Sequence, residues 1–236
     1  MKQHLSRISF IFTKHFPFVI EASIDNSLTF CVCYITLISR RYESEDNCQM
    51  DCRAYLDMLH VAERLKDTPR HCTTTKGRTE SVAEHSWRIS LMAFLARSEF
   101  PELDMDKVIR MCLIHDLGEC FTGDIPTFLK TDSDRDVEDS LLMQWVNTLP
   151  ETVADEMAAL YREMDAQETH EAKLYKALDK LEALIQHNES PIETWAEHEY
   201  ELNKTYAFDA VSFSPWLMEL RKEVLQDTLD KIEAGV

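Results

Sequence analysis

The stretch from Met111 to Thr127, MCLIHDLGECFTGDIPT, gathers more potential chemistry than any other part of the chain. His115 and Asp116 are adjacent, Glu119 follows three residues after the pair, and Asp124 lies five beyond that. An imidazole beside a carboxylate can hold a divalent cation, and a second carboxylate nearby can address a water bound to it. Met111, Leu113 and Ile114 before the pair, and Gly118 after it, predict a buried helix near its C-terminal end. At about 100° per residue, His115 and Glu119 would then lie about 40° apart on one helix face. Two distant residues are further candidates. His85 shares a face with Ile89, Met92 and Ala93, a setting for either a hydrogen-bonded core histidine or a ligand. Asp179 lies beside Leu178 in an apolar helix, where an acid is either a solvated surface group or turned inward for a purpose.

These residues need a scaffold, and from Asp51 onward the apolar spacing is helical. Tyr55, Met58, Leu59, Ala62 and Leu65 form one stripe that Asp67-Thr68-Pro69 ends. Arg70 to Thr79 reads as an irregular link and is the one local concentration of positive charge. Ser81-Val82-Ala83-Glu84 has capping-box spacing and should start the helix that carries His85. Pro101 breaks the pattern, Asp104 can cap the central helix, and that helix is expected to run to about Gly118. Gly123-Asp124 and Pro126 mark a turn within Cys120 to Thr127. Further helices are expected over about 134–149, 150–168, 171–187, 191–206 and 214–234. No strand is expected after Asp51. The fold class is all-α, a helical bundle.

Composition narrows the partners. The chain has 236 residues, only four glycines and a formal charge of −18. Residues 1–49 balance five basic against five acidic side chains, so the whole excess lies in 50–236. A body that acidic, without a run of Lys and Arg, repels nucleic acid and anionic membrane, which leaves a small molecule as the partner. Residues 1–49 read as an N-terminal extension, poorly classifiable and with Met50 as an alternative start, and 50–236 as one domain. The densest apolar run in the extension, Leu28 to Ile38, is far short of the roughly 20 residues a spanning helix needs. The seven cysteines form no C-x-x-C pair, and reduced thiols in the cytoplasm are the expectation.

His85, then His115-Asp116, then Asp179, all on helices, resembles the HD-domain metal-dependent phosphohydrolases. Arg78-Thr79-Glu80-Ser81-Val82-Ala83-Glu84-His85-Ser86 and Thr122-Gly123-Asp124-Ile125-Pro126-Thr127 narrow the likeness to the 5′-deoxynucleotidases. It covers about Tyr55 to Ile185. The resemblance implies an HD-domain helical bundle and His85, His115, Asp116 and Asp179 as ligands of one divalent ion. A mixed N/O donor set suits Mn²⁺, Co²⁺ or Fe²⁺, with Zn²⁺ as a further option. Glu119 corresponds to the acid/base carboxylate. Asp124, Ile125, Pro126 and Thr127 correspond to a loop that contacts the nucleotide sugar, Asp124 also counting as catalytic. Arg70 corresponds to the phosphate-binding arginine, and Asp116 and Asp179 also face the substrate.

His71, included in the substrate-binding set, stands where the bacterial enzymes carry a tryptophan, and Lys76 and Gly77 also depart from the usual link. Only His170 lies between the HD pair and Asp179 to serve a second ion, so one ion is expected. The implied reaction is hydrolysis of a deoxynucleoside 5′-monophosphate by a cytoplasmic homodimer. The alternatives are another nucleotide phosphohydrolase of the superfamily (a pyrophosphatase, triphosphohydrolase or cyclic phosphodiesterase) and a non-catalytic helical binding protein.

Overall fold

A computed structural model describes residues 50–235. The expectation for the extension at 1–49 lies outside the described residues. The elements run α1 (Cys52–Ala62), β1 (Pro69–Thr73), β2 (Thr79–Ser81), α2 (Val82–Leu95), α3 (Met105–Ile114), α4 (Glu119–Thr122), α5 (Asp132–Val146), α6 (Glu151–Ala166), α7 (His170–Glu189), α8 (Glu199–Thr205), α9 (Phe208–Val211) and α10 (Pro215–Gly235), joined by short 3₁₀ turns. The all-α expectation holds for the body of the fold. No described helix is long and apolar enough to cross a membrane.

The caps fall where the sequence puts them. Ser81 and Glu84 close a reciprocal capping box at α2, and Asp104 accepts from the Lys107 backbone at α3. Thr131 and Asp134 form a second capping box, so α5 begins at Asp132, slightly before the expected start. α7 is the hub. It packs on α2, α3, α6, α9 and α10, and buries Leu174, Leu178, Leu181 and Leu184. Ile89 of α2 and Val108, Met111 and Cys112 of α3 complete that core, all fully buried. Truncating Ile89 to Ala, one turn from His85, should cost about 2–5 kcal/mol by removing buried methyl groups and leaving a cavity. Urea unfolding of the variant measures it.

Three expectations need correction. The link at 70–79 contains an antiparallel pair, β1 with β2, where no strand was expected. Gly77 at φ +77° turns the chain, and Ser190 and Gln186 of the α7 end both donate to the Thr73 carbonyl at 2.7 Å. Those tertiary bonds are invisible to local propensity. The stripe of α1 is not a core stripe either, since Tyr55 and Leu59 are half exposed and only Leu65 beyond the helix is buried. Finally, the helix expected over 191–206 splits into a 3₁₀ turn, an extended Trp195 and α8. The buried Trp195 indole donates to the His187 carbonyl at 3.0 Å, and that anchor breaks the helix.

Candidate metal centre

Three elements bring the four nominated ligands together. α2 supplies His85, the turn after α3 supplies His115 and Asp116, and α7 supplies Asp179. His85 Nε2 lies 3.3 Å from Asp179 Oδ1 and 3.6 Å from Asp116 Oδ2. His115 Nε2 lies 3.0 Å from Asp116 Oδ2 and 3.8 Å from Asp179 Oδ1. Each imidazole is turned by its other nitrogen. His85 Nδ1 makes a short hydrogen bond with the buried Glu182, and His115 Nδ1 lies 2.9 Å from the Cys112 carbonyl. Both Nε2 atoms are buried and lack a hydrogen-bond partner. Two bare ring nitrogens aimed at the same space as two carboxylates form a donor set that fits a divalent ion.

Electrostatics agree with that arrangement. Burial opposes the charge on Asp116, but His115 and His85 overcome it and hold its carboxyl well below the usual range. Burial likewise opposes the charge on Asp179, and Lys176, 2.7 Å from its other oxygen, together with the histidines keeps it ionised. Glu119 behaves in the opposite way. Burial, reinforced by the charges of Asp116 and Asp124, pushes its pKa up to about 9. Its Oε2 is buried without a hydrogen-bond partner, the state of a carboxyl poised to exchange a proton.

The helix expected to run to Gly118 stops at Ile114. From Leu117 to Phe121 the backbone closes i→i−3 bonds of 3.0–3.2 Å, so His115 and Glu119 do not share one α-helical face. The Cys112 carbonyl faces the His115 side chain, while the Ile114 carbonyl accepts from both the Leu117 N–H and the Tyr161 hydroxyl. Glu119 still borders the centre by opening α4.

A cavity of about 480 Å³ opens beside these groups and is bordered by Arg70, Asp116, Glu119, Asp124 and Asp179. Ile125, Pro126 and Thr127 continue its wall after Gly123, whose φ of +77° turns the loop inward. Arg70 Nη1 stands 3.6 Å from Asp116, and its Nε stands 3.2 Å from the buried Glu80. Its guanidinium is thereby fixed at the edge of the donor cluster. His71 also lines the cavity, 2.7 Å from Glu199. His85 and His115 close the site from the core side.

Sequence reasoning missed four supporting groups: Glu182 behind His85, Lys176 on Asp179, Glu80 on Arg70, and Glu199 beside His71. Glu182 had a signal, because it follows Asp179 by three residues on the apolar face of α7. Lys176 precedes Asp179 by the same spacing.

The chain is similar to known proteins throughout this region. The HD domain family model matches residues 62–220. The human protein named 5′-deoxynucleotidase HDDC2 is 31% identical over 141 residues, which is 58% of this chain and 68% of that one. Its mouse counterpart is 32% identical over 138 residues, 57% of this chain and 68% of that one. Among solved structures, a predicted metal-dependent phosphohydrolase from Magnetospirillum magnetotacticum MS-1 superposes with a TM-score of 0.65 at 28% identity, covering 76% of this chain and 95% of that one. With the family match spanning most of the described residues and enclosing every nominated ligand, the chain belongs to the HD domain family.

Proposed function

We propose that the protein is a metal-dependent phosphomonoesterase that hydrolyses deoxynucleoside 5′-monophosphates to nucleoside and phosphate. The observation that carries this reading is the meeting of two partnerless imidazole nitrogens, two ionised aspartates, a protonatable Glu119 and the Arg70 fork at one cavity. The similarity to relatives named 5′-deoxynucleotidase supports the substrate class.

His85, His115, Asp116 and Asp179 would hold the ion, with Mn²⁺, Co²⁺ or Fe²⁺ favoured by the N₂O₂ set and Zn²⁺ a further option. Such an ion supplies Lewis acidity and a water of low pKa. Glu119 takes the proton of the attacking water at its buried carboxylate and can return it to the departing 5′-oxygen of the nucleoside. Arg70 places its planar fork against the phosphoryl oxygens and balances their charge as the P–O bond breaks. Asp124 to Thr127 form the wall against which the sugar rests, Asp124 offering a carboxylate to a sugar hydroxyl. Glu182 fixes the His85 ring and its tautomer from behind. Glu182→Gln should weaken divalent-ion binding by about 10–100-fold, read by competition with a chelator of known affinity.

A phosphate-release screen over nucleoside mono-, di-, tri- and cyclic phosphates with Mn²⁺ or Co²⁺ tests the function. The expected result is turnover of deoxynucleoside 5′-monophosphates above every other class. Preference for a triphosphate or a cyclic diester would replace this reading with one of its superfamily alternatives. The proposal extends to a homodimer in the cytoplasm. The exposed Trp87, Phe94 and Leu95 of α2 offer an apolar contact face, and Cys52, Cys72, Cys112 and Cys120 are unpaired thiols. Sedimentation of the wild type against Trp87→Lys tests the dimer.

A further inference from the structure

Away from the four nominated ligands, the cavity wall carries a second concentration of ligating atoms. His71 of β1, His187 of α7 and Glu199 of α8 meet there, with Nε2 of His71 2.7 Å from Glu199 Oε1 and Nε2 of His187 3.2 Å from Oε2. One atom from each residue lies within 4.8 Å of the other two. A tetrahedral ion with bonds of about 2.0 Å has donor–donor edges of about 3.3 Å, so small side-chain shifts would seat it. The two imidazoles are nearly parallel, 15° apart at 6.4 Å between centroids. Asn203 holds His187 from behind, its amide 2.6 Å from Nδ1. The contact is made by the amide nitrogen, so Nδ1 accepts and Nε2 carries the proton that faces Glu199, a proton that an incoming cation would displace.

Charge points the same way. The Glu199 carboxylate is buried, and among the described residues these two imidazoles are the only basic side chains at ion-pair distance from it, beside the Ala196 N–H that donates to Oε2 at 2.6 Å. All three residues border the cavity, which leaves one coordination position facing it. The expectation of one ion was drawn from the interval between His115 and Asp179, and this trio lies outside that interval.

We infer that His71, His187 and Glu199 form a second, separate divalent-cation site, selective for Zn²⁺, that ties β1, α7 and α8 together on the cavity wall. Two imidazoles and one carboxylate with an open position are a zinc donor set. The site does not depend on the reading of the first centre.

The test measures bound zinc after equilibrium dialysis, in wild type, in His71→Ala, and in the His115→Ala/Asp179→Asn double variant that removes the first centre. His71 is partly exposed, so its truncation should leave the fold intact, which circular dichroism checks. Under saturating Zn²⁺ the expected contents are about two ions per chain in wild type, about one in His71→Ala and about one in the double variant, falling to none when His71→Ala is added to it. In the double variant, Co²⁺ should show the intense visible absorption of a four-coordinate site. Wild-type zinc content in folded His71→Ala would overturn the inference, since the trio would then be a hydrogen-bonded cluster only. A double variant that failed to fold would leave the wild-type and His71→Ala comparison to decide.

Discussion

Glu119→Gln should lower kcat for a deoxynucleoside 5′-monophosphate by about 10²–10⁴-fold while bound metal stays at the wild-type level. The amide is the same size as the acid, so packing around α4 is kept, and the only loss is a group that can accept and return a proton. The acid has no competing task. It is buried, one oxygen lacks a partner, and burial with the charges of Asp116 and Asp124 lifts its pKa to about 9. A nearby cation would draw that value down and free the carboxylate to act as a base. Steady-state kinetics together with elemental analysis of the same preparation separate the two effects. Turnover near wild type would remove Glu119 from the mechanism. Low turnover with low metal would mean that it is a ligand instead.

The second large effect is expected at Arg70. Arg70→Lys keeps the positive charge beside Glu80 and Asp116 but loses the planar, two-pronged donor. It should lower kcat/KM by about 10²-fold, which corresponds to about 2.7 kcal/mol of transition-state stabilisation. Arg70→Ala should reach a similar or lower rate and also lose stability, because Glu80 is buried and its principal counter-charge would be gone. Comparing melting temperatures of the two variants distinguishes a phosphate-binding role from a structural one. A lysine variant with an unchanged kcat/KM would show that the fork does not meet the phosphate.

What the sequence displayed of this site followed from type and spacing. His115-Asp116 and the capping box before His85 are local patterns; the capping box falls where expected, while the pair lies in the turn just past the end of α3. Asp179 could be placed beside His85 only through the family likeness, since ninety-odd residues separate them and periodicity says nothing about which helices touch. Glu182 escaped notice because an acid in a helix ordinarily faces water, and the His85 ring and Arg88 against it explain its burial. The 3₁₀ winding from His115 to Phe121 was equally hidden. The sequence carries no proline there, and the change goes with side-chain bonds from His115 and Tyr161 to the Cys112 and Ile114 carbonyls. The hairpin at 69–81 is held by bonds from the end of α7, more than a hundred residues away, and the break at Trp195 by its indole bond back to His187.

A titration of Mn²⁺, followed by the paramagnetic signal of the free ion, tests the metal centre most directly. Mn²⁺ suits the two-carboxylate centre better than the His71, His187 and Glu199 trio, so it reports on the former. Wild type should bind about one ion per chain, and Asp179→Asn, folded by circular dichroism, should bind none at the same concentrations. Undiminished Mn²⁺ binding by Asp179→Asn would mean that the convergence of His85, His115, Asp116 and Asp179 is not a metal site.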